Sequence, residues 1–386
     1  MRLLAGLRAD GPLTLAEHEA IHGPLPHAGR ELIDVIEAAG LRGRGGANFP
    51  AAVKLRAVAQ GRRPVVVVNG TEGEPLSAKD ALLLTRAPHL VLDGAELAAA
   101  AVGAREVIVA APAGTHRSVA AALGERRGAT MGVATSVVAS AGGYVAGEET
   151  AVIAHLEGRP ARPRVTPPRP AERGLRKRPT LVQNVETLAH LALIARHGAA
   201  WFRAAGTERR PGTTLLTVSG AAASGVLESE AGATLGDVLD PSAPLRAVLV
   251  GGYFGGWVPA HEDRSLDGPL GAGVIHALGR ASCPIAETAR IATYVASQSA
   301  GQCGPCVYGL SSLAGVLERL AAGHGDRRDA ARLARWTDMV RGRGACAHPD
   351  GAARLIQSAT HVFAEELDDH IHRGACVACA RVAVAA

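Results

Sequence analysis

The chain has 386 residues, a length that accommodates about two or three domains. Hydrophobic residues make up 47% of it, enough for real cores, and no apolar run approaches the roughly 20 residues that cross a bilayer. The composition therefore excludes direct membrane insertion and predicts a soluble protein. The net charge of +5 is unevenly distributed, because eight arginines and lysines and a single acid, Glu172, lie between residues 159 and 178.

This basic stretch, residues 159–178, also contains five prolines. It fits two interpretations: a solvated, extended loop, or a docking patch for an acidic redox partner or a phosphate, where unscreened charge speeds encounter. Nucleic-acid binding is not expected, because the stretch has no aromatic side chain on which a base could stack.

The first half of the chain alternates between helical and β-branched patterns. Buried parallel strands are predicted over residues 64–69, 105–111 and 131–140. Helices are predicted over residues 30–40, 81–85, 89–102 and 115–124, from the glycine-rich turn at 142 to about 156, and from 182 to 197. Strands that alternate with helices predict a doubly wound α/β domain.

Two glycine-rich turns in this half lead into helix N-termini. The first, residues 40–50, precedes a predicted helix at residue 51, where glycines allow close backbone approach and unpaired N–H groups suit a phosphate. Arg44 and Lys54 can add charge to the same anion, although a plain surface loop fits equally well. The second, residues 142–150, carries Glu148 and Glu149, which either stabilise the helix start or accept hydrogen bonds from a ligand.

The second half of the chain divides into a region of short strands from residue 212 and a helical region from residue 287 that contains most of the cysteines. Cys303 and Cys306 form a C-x-x-C pair for which Cys346 can be a remote third metal ligand, and Cys376 and Cys379 form a second pair. Spacing alone leaves zinc and iron–sulfur open. Cys283 is expected to be a simple buried thiol, and no histidine spacing indicates a metal site.

Several motifs occur in an order that resembles one known family. They are Gly43-Arg44-Gly45-Gly46-Ala47, Phe49-Pro50, Asn69, Glu72, Glu74-Pro75, Gly147-Glu148-Glu149-Thr150-Ala151, Leu156-Glu157-Gly158, Asn184-Val185-Glu186-Thr187-Leu188 and the Cys303–Cys306 pair. The chain resembles the NADH-binding flavoprotein subunit of respiratory complex I and the related diaphorase subunits of NAD-linked hydrogenases and formate dehydrogenases. The resemblance covers roughly residues 25–375.

The resemblance implies three domains: a Rossmann-like α/β domain that binds FMN (residues 1–205), a small β-grasp domain of the SLBB type (206–282), and a C-terminal helical bundle with an iron–sulfur site and a C-x-x-C tail (283–386). It also implies that NADH reduces FMN, which passes electrons to a 4Fe–4S cluster. The flavin carries the chemistry, so no catalytic acid or base is nominated.

The resemblance also implies the site residues. FMN is expected to contact Gly43, Arg44, Gly45, Gly46, Lys54, Asn69, Glu72, Tyr144, Gly147, Glu148, Gln183, Asn184 and Thr187. NADH is expected to contact Phe49, Glu74 and Glu149. The iron–sulfur ligands are expected to be Cys303, Cys306 and Cys346.

Two departures from the family pattern matter. The first cysteine of the family's cluster motif is Ala300 here, so either the cluster has three cysteine ligands, as in a 3Fe–4S cluster, or Ser299, Cys376, Cys379 or a partner supplies the fourth ligand. In the nicotinamide pocket, a family aromatic is replaced by Ala57 and a lysine by Thr166. Thr71 and Gln183 also replace family residues there.

The sequence therefore predicts an FMN- and iron–sulfur-dependent oxidoreductase subunit that exchanges electrons with NADH or a ferredoxin-like carrier and works with other redox subunits. The alternative is a degenerate, non-catalytic homologue that binds a partner or ligand. A third hypothesis is a zinc-bound structural protein that uses the two C-x-x-C pairs. The first residues do not resemble a secretory signal, so a cytoplasmic location is expected.

Overall fold

The computed structural model describes residues 2–8, 11–126, 133–221, 224–262 and 264–379. It contains two compact units. The N-terminal unit comprises the described part of residues 1–217 with 226–233 and 265–269, and the C-terminal unit comprises the described part of residues 218–225, 234–264 and 270–386.

The N-terminal unit is built on a four-stranded parallel sheet. Its strands are β1 (Val65–Asn69), β2 (Glu106–Ala111), β3 (Ala134–Ala139) and β4 (Thr180–Asn184), in the spatial order β3-β2-β1-β4. The four valines of β1 are fully buried, as expected for a parallel strand with both faces covered.

Nine helices belong to this unit within the described residues. They are α1 (Leu15–His22), α2 (Leu32–Ala39), α3 (Ala51–Ala59), α4 (Lys79–Arg86), α5 (Pro88–Val102), α6 (Ala113–Glu125), α7 (Glu149–Leu156), α8 (Pro170–Arg173) and α9 (Val185–Arg203). Helix α5 is buried along nearly its whole length. A Cβ atom at Gly94 would lie 2.0 Å from the Leu188 carbonyl oxygen, so α5 and α9 pack with their backbones in contact.

The doubly wound pattern predicted from the sequence is confirmed, with one shift. The predicted strands at 64–69 and 105–111 correspond to β1 and β2, and the one at 131–140 corresponds to β3, although residues 131 and 132 lie outside the described residues. The helix predicted from residue 182 begins only at Val185. Residues 182–184 instead belong to β4, because they complete the sheet beside β1.

The predicted short strands from residue 212 onward are present as well. Strands β5 (Thr213–Gly220) and β6 (Gly225–Glu230) belong mainly to the N-terminal unit, whereas β7 (Leu245–Val250), β8 (Gly256–Pro259) and β9 (Val274–Gly279) belong to the C-terminal unit. Strand β7 pairs antiparallel with both β8 and β9. The sequence predicted β5, β6 and β7 but missed both β8, whose four residues follow a run of glycines, and β9.

The helices of the C-terminal unit are α10 (Leu235–Val238), α11 (Pro284–Ser297), α12 (Ser311–Ala321), α13 (Asp329–Val340), α14 (His348–Val362) and α15 (Ala364–Arg373). A π-helical turn, Pro305–Leu310, precedes α12. No helix among the described residues is long and apolar enough to cross a membrane.

The N-terminal unit also buries a group of histidines around one carboxylate. The Asp93 side chain accepts hydrogen bonds from His18 Nε2 and Arg126 Nη2, each at 2.7 Å. The rings of His22 and His89 lie 5.1 and 5.8 Å from that of His18. Burial lowers the pKa of both His22 and His89 to about 4.

These two histidines make the fold sensitive to acid. Between pH 6.5 and about 4 the unfolded chain binds protons at His22 and His89 that the folded protein does not bind, so the free energy of unfolding decreases as the pH falls through this window. Urea denaturation at a series of pH values measures this slope. A His89→Leu variant should show a shallower slope, and an unchanged slope would contradict the assignment.

Candidate functional site

The predicted FMN residues lie at one edge of the parallel sheet. Strands β2 and β3 lie on one side of β1 and β4 lies on the other, so the chain reverses its winding direction between β1 and β4. In open α/β sheets ligands bind outside the carboxyl ends of the strands at such a switch point. The register pairs Asn69 with Asn184, the last residues of the two strands, at this position.

The first glycine-rich loop closes over the start of α9. The Gly43 N–H donates to the Phe49 carbonyl at 2.8 Å, which closes the loop on itself. The backbone N–H of Arg44 donates to Thr187 Oγ1 at 2.9 Å. A Cβ atom at Gly45 would lie 3.2 Å from the Cβ of Asn184, and Gly46 has a φ of +98°. The glycines therefore permit a close approach that other residues would obstruct.

The Arg44 side chain is buried and serves the fold. Its guanidinium donates to the Thr213 carbonyl at 3.0 Å and lies 3.9 Å from Glu186 Oε1. Burial lowers the pKa of Arg44, and Glu186 opposes that effect. The structure thus balances the Arg44 charge internally, whereas the sequence predicted that it adds charge to an anion.

A buried ion network beneath the loop was not predicted from the sequence. Lys79 Nζ lies 2.7 Å from Asp80 Oδ1 and 3.0 Å from Glu186 Oε2, and all three side chains are almost fully buried. Although burial opposes both charges, the neighbouring cations lower the pKa of Glu186 and the neighbouring carboxylates raise the pKa of Lys79. The adjacent Lys79-Asp80 pair, a few residues after Glu72 and Glu74, was the only signal in the sequence.

The turn after β1 and the second glycine-rich turn are fixed to each other. Asn69 Nδ2 donates to the Gly147 carbonyl at 2.8 Å, and Asn69 Oδ1 accepts the Thr71 N–H at 3.1 Å. A Cβ atom at Gly73 would lie 2.4 Å from the Tyr144 carbonyl oxygen. The two turns therefore meet backbone to backbone, and Asn69 positions the second turn.

The carboxylates of two predicted FMN ligands accept hydrogen bonds from N–H groups at helix N-termini. Glu72 accepts the N–H groups of Asp80 and Ala81 at the start of α4, each at 3.1 Å. Glu148 is the N-cap of α7 and accepts the N–H groups of Thr150 at 2.9 Å and Ala151 at 3.1 Å. Of the two interpretations of Glu148, the structure therefore displays the helix-stabilising one.

The three predicted NADH residues line the same region of the unit. Tyr144 donates its hydroxyl to Glu74 Oε2 at 2.9 Å, and Lys54 Nζ pairs with Glu149 Oε2 at 2.6 Å. Phe49, beside the first glycine-rich loop, leaves 42% of its surface exposed. An exposed aromatic ring next to paired charges can stack on a planar ligand.

Gln183 provides a direct test of whether the residues fit FMN. It is the penultimate residue of β4, it is only 6% exposed, and its Nε2 atom has no hydrogen-bond partner within the protein. A buried amide donor without a partner is costly unless a ligand or water satisfies it. Together with the close-packed glycines, this unsatisfied donor at the switch point fits a polar ligand such as FMN.

In the C-terminal unit the three predicted iron–sulfur ligands come together. Burial opposes a thiolate at Cys303, but backbone hydrogen bonds from Ala345, next to Cys346, and from Cys306 outweigh burial and lower the pKa of Cys303. Cys306 is buried, which raises its pKa to about 12, and its thiol hydrogen-bonds the Ser299 side chain. Ser299 therefore lies beside one of the three predicted ligands.

The second C-x-x-C pair belongs to a different group. The donor atoms of Cys376 and Cys379 lie within 4.8 Å of those of Cys283 and His370. Their position argues against Cys376 and Cys379 as the fourth ligand beside Ser299. The sequence did not anticipate this group, in which Cys283 Sγ lies 3.3 Å from His370 Nε2.

Comparisons with known proteins agree with this geometry. The "Nuo51 FMN-binding domain" model matches residues 36–193, and the "NADH-ubiquinone oxidoreductase-F iron-sulfur binding region" model matches residues 286–370. The F subunit of the NADH-quinone oxidoreductase of Streptomyces coelicolor is 34% identical over 93% of this chain and 87% of that protein. An F subunit of the same enzyme of Rhizobium meliloti is 32% identical over 90% of each chain.

A solved structure shares the fold. A chain of the NAD+-reducing NiFe hydrogenase in its H2-reduced state superimposes with a TM-score of 0.84 at 34% identity over 90% of this chain. The present chain spans 64% of the length of that hydrogenase chain.

The matched regions and the geometry together define an FMN- and iron–sulfur-dependent oxidoreductase subunit. More closely, the chain belongs to the family of the F subunits of NADH-quinone oxidoreductase. The resemblance seen in the motifs is confirmed. Neither the matches nor the described residues favour the degenerate, non-catalytic alternative.

A substitution at Gln183 can change the affinity for FMN without changing the stability of the fold. We expect Gln183→Leu to weaken FMN binding roughly 2- to 10-fold, the worth of one hydrogen bond, while the apoprotein stays as stable as before because no protein group loses a partner. Asn184→Leu is the contrasting control, since the Asn184 amide binds Asp80 and Glu186 and its loss should lower the melting temperature. Flavin titration and thermal unfolding measure both effects. A destabilised Gln183→Leu apoprotein with unchanged FMN affinity would contradict the assignment.

Proposed function

We propose that this chain oxidises NADH and delivers the electrons to an iron–sulfur cluster held by Cys303, Cys306 and Cys346. The observation that carries the proposal is the unsatisfied, buried Gln183 amide at the switch point, flanked by two glycine-rich turns at the starts of α3 and α7. The names of the relatives support NADH as the donor. FMN, when bound, supplies the conversion of a two-electron donor into single electrons.

The chain's own residues would hold the flavin in three ways. The backbone of Gly43, Gly45 and Gly46 would approach the phosphate closely, because these residues carry no side chain. Gln183 would donate its free amide hydrogen to a flavin acceptor atom. Five further predicted ligands, Asn69, Glu72, Glu148, Asn184 and Thr187, would hold the surrounding turns and helix starts in place.

NADH would bind beside the first glycine-rich loop. The exposed ring of Phe49 would stack on a planar part of NADH, and Glu74 and Glu149 would accept hydrogen bonds from its ribose or amide groups. The Lys54–Glu149 pair holds one of these carboxylates and keeps a cation nearby to offset the negative charge of the dinucleotide. Ala57 and Thr166 are both exposed, so these two replacements remove contacts without disturbing the core.

The cluster would take its fourth ligand from Ser299 or remain a three-cysteine cluster. Ser299 is the better candidate of the residues considered, because its side chain hydrogen-bonds Cys306 and its Oγ also accepts the Gly301 N–H at 3.0 Å. A serine oxygen is a harder ligand than thiolate, which would distinguish such a cluster spectroscopically from one with four cysteines.

Other redox subunits would receive the electrons, as in the family. A ferredoxin-like carrier is a less supported acceptor, because part of the basic stretch at residues 159–178 is neutralised within the chain. Arg176 and Arg178 both bind Glu106, and Arg159 binds Glu157. A reducing compartment such as the cytoplasm would keep the six cysteines available as metal ligands.

Anaerobic titration tests the proposed function. The purified protein should contain flavin, iron and sulfide, and NADH should bleach the flavin absorbance and produce an iron–sulfur electron paramagnetic resonance signal. A Cys303→Ala variant, which cannot ligate iron at this position, should keep NADH-dependent flavin bleaching but lose that signal. Flavin that stays oxidised with NADH but is bleached by a reduced ferredoxin would overturn NADH as the donor, and absence of flavin would overturn the whole proposal.

Phe49 gives a sharper test of the NADH site. Phe49→Ala should raise the KM for NADH roughly 5- to 150-fold, because loss of one stacking aromatic costs about 1–3 kcal/mol. FMN content should not change, since the ring is partly exposed and does not belong to the core. Val53→Ala, at a similarly exposed apolar position of α3, is the matched control. Equal KM values for the two variants would exclude a stacking role.

A further inference from the structure

A second group of metal-ligating side chains lies in the C-terminal unit, outside the residues assigned to the iron–sulfur cluster. It consists of Cys283, His370, Cys376 and Cys379. Their donor atoms all lie within 4.8 Å of one another, and the side chains are buried or half-buried. Because the four residues come from the start of α11, from α15 and from the segment after it, only the fold brings them together.

The distances within this group match the edges of a tetrahedron around one ion. Cys376 Sγ lies 3.7 Å from Cys283 Sγ and 3.9 Å from Cys379 Sγ, and His370 Nε2 lies 3.3 Å from Cys283 Sγ and 3.8 Å from Cys379 Sγ. Zinc bonds of about 2.3 Å to sulfur and 2.0 Å to nitrogen, at tetrahedral angles, require about 3.8 Å between sulfurs and about 3.5 Å between sulfur and nitrogen.

An iron–sulfur cluster fits the group less well. The cysteines of a 4Fe–4S cluster bind different irons, which are separated by the edges of the cluster, so their sulfurs lie farther apart than ligands of a single ion. Three cysteines and one histidine are also a common ligand set of structural zinc sites.

The histidine is oriented for metal binding by its second nitrogen. His370 Nδ1 lies 2.7 Å from the Leu320 carbonyl oxygen at the end of α12. Because a carbonyl only accepts, Nδ1 carries the proton and Nε2 directs its lone pair toward the sulfurs. This is the arrangement in which metal-bound histidines are usually held, and a residue that only filled the core would not need it.

The position of Cys283 is likewise fixed by the fold. It is the N-cap of α11, and its Sγ accepts the Ala286 N–H at 3.4 Å. This sulfur faces His370, whose Nε2 lies 3.3 Å away.

We propose that Cys283, His370, Cys376 and Cys379 bind one structural zinc ion, separate from the iron–sulfur cluster of Cys303, Cys306 and Cys346. The zinc ion ties the last helix and the segment after it to the first turn of α11. Gly323 and Gly374 already bring the ends of α12 and α15 close, since a Cβ atom at Gly323 would lie 2.7 Å from the Gly374 carbonyl oxygen. The site thus joins the start of α11 to α15 and to the segment that contains Cys376 and Cys379.

Metal analysis of the full-length protein, expressed with zinc and iron in the medium, tests the proposal. The wild type should contain about one zinc ion per chain in addition to iron and sulfide. Cys379→Ser and His370→Ala should lose zinc but keep iron, whereas the Cys303→Ser, Cys306→Ser double variant should lose iron but keep zinc. His372→Ala, an exposed histidine on the same helix, should leave both metals unchanged.

Replacing zinc with Co²⁺ in the wild type gives a second measurement that does not depend on how the variants fold. Tetrahedral thiolate coordination should produce intense visible ligand-field and charge-transfer bands. Iron that is retained in the double variant and lost from His370→Ala would overturn the proposal in favour of a second iron site. Metal-free thiols, or a disulfide between Cys376 and Cys379 found by mass spectrometry, would also overturn it. None of these results depends on flavin or NADH, so failure of the zinc site and failure of the proposed function remain distinguishable.

Discussion

The flavin site depends on the hydrogen bonds and ion pairs of the buried Glu186 carboxylate. This carboxylate accepts the Leu215 N–H at 2.9 Å and the Thr214 hydroxyl at 3.1 Å, and it pairs with Lys79 and Arg44. One side chain at the start of α9 therefore joins the first glycine-rich loop, the start of α4 and the start of strand β5. Leaving such a carboxylate buried without its cations would cost about 3–5 kcal/mol, so the loop and both helix starts are held as one assembly.

The predicted FMN ligands near Glu186 are of two kinds. Some use their polar atoms to fix neighbouring protein groups, and others leave polar atoms available to a ligand. Asn69, Glu72 and Glu148 use their polar atoms on the Gly147 carbonyl and on helix N-termini. Among the predicted ligands within the described residues, only Gln183 leaves a buried side-chain amide donor unused. Backbone that approaches a cofactor must itself be held in place, and these hydrogen bonds hold it.

The two C-x-x-C pairs show how the same motif serves two chemistries. Cys303 and Cys306 lie at a π-helical turn with Cys346 and Ser299 nearby, whereas Cys376 and Cys379 meet Cys283 and His370. The first group lies within the region that matches the family's iron–sulfur binding region. The second lies at the end of α15, where four protein ligands around one ion would strengthen a helical group that ends in a short, half-buried segment.

Local pattern was sufficient for the strands β1 and β2, the two glycine-rich turns and the Cys303–Cys306 pair, because runs of β-branched residues, glycine clusters and short cysteine spacings are contiguous in sequence. Motifs in a fixed order were sufficient for the family. Local pattern misplaced the start of α9, because Val182 and Gln183 become strand only by pairing with β1. The tertiary structure alone decided that the charge of Arg44 is used inside the fold, and that Lys79 and Asp80 belong to the site. It also decided that Cys283 and His370 join the tail cysteines. These groups are brought together by contacts between residues from about 90 to 170 positions apart. Such contacts form only when the whole chain folds, so no local sequence pattern predicts them.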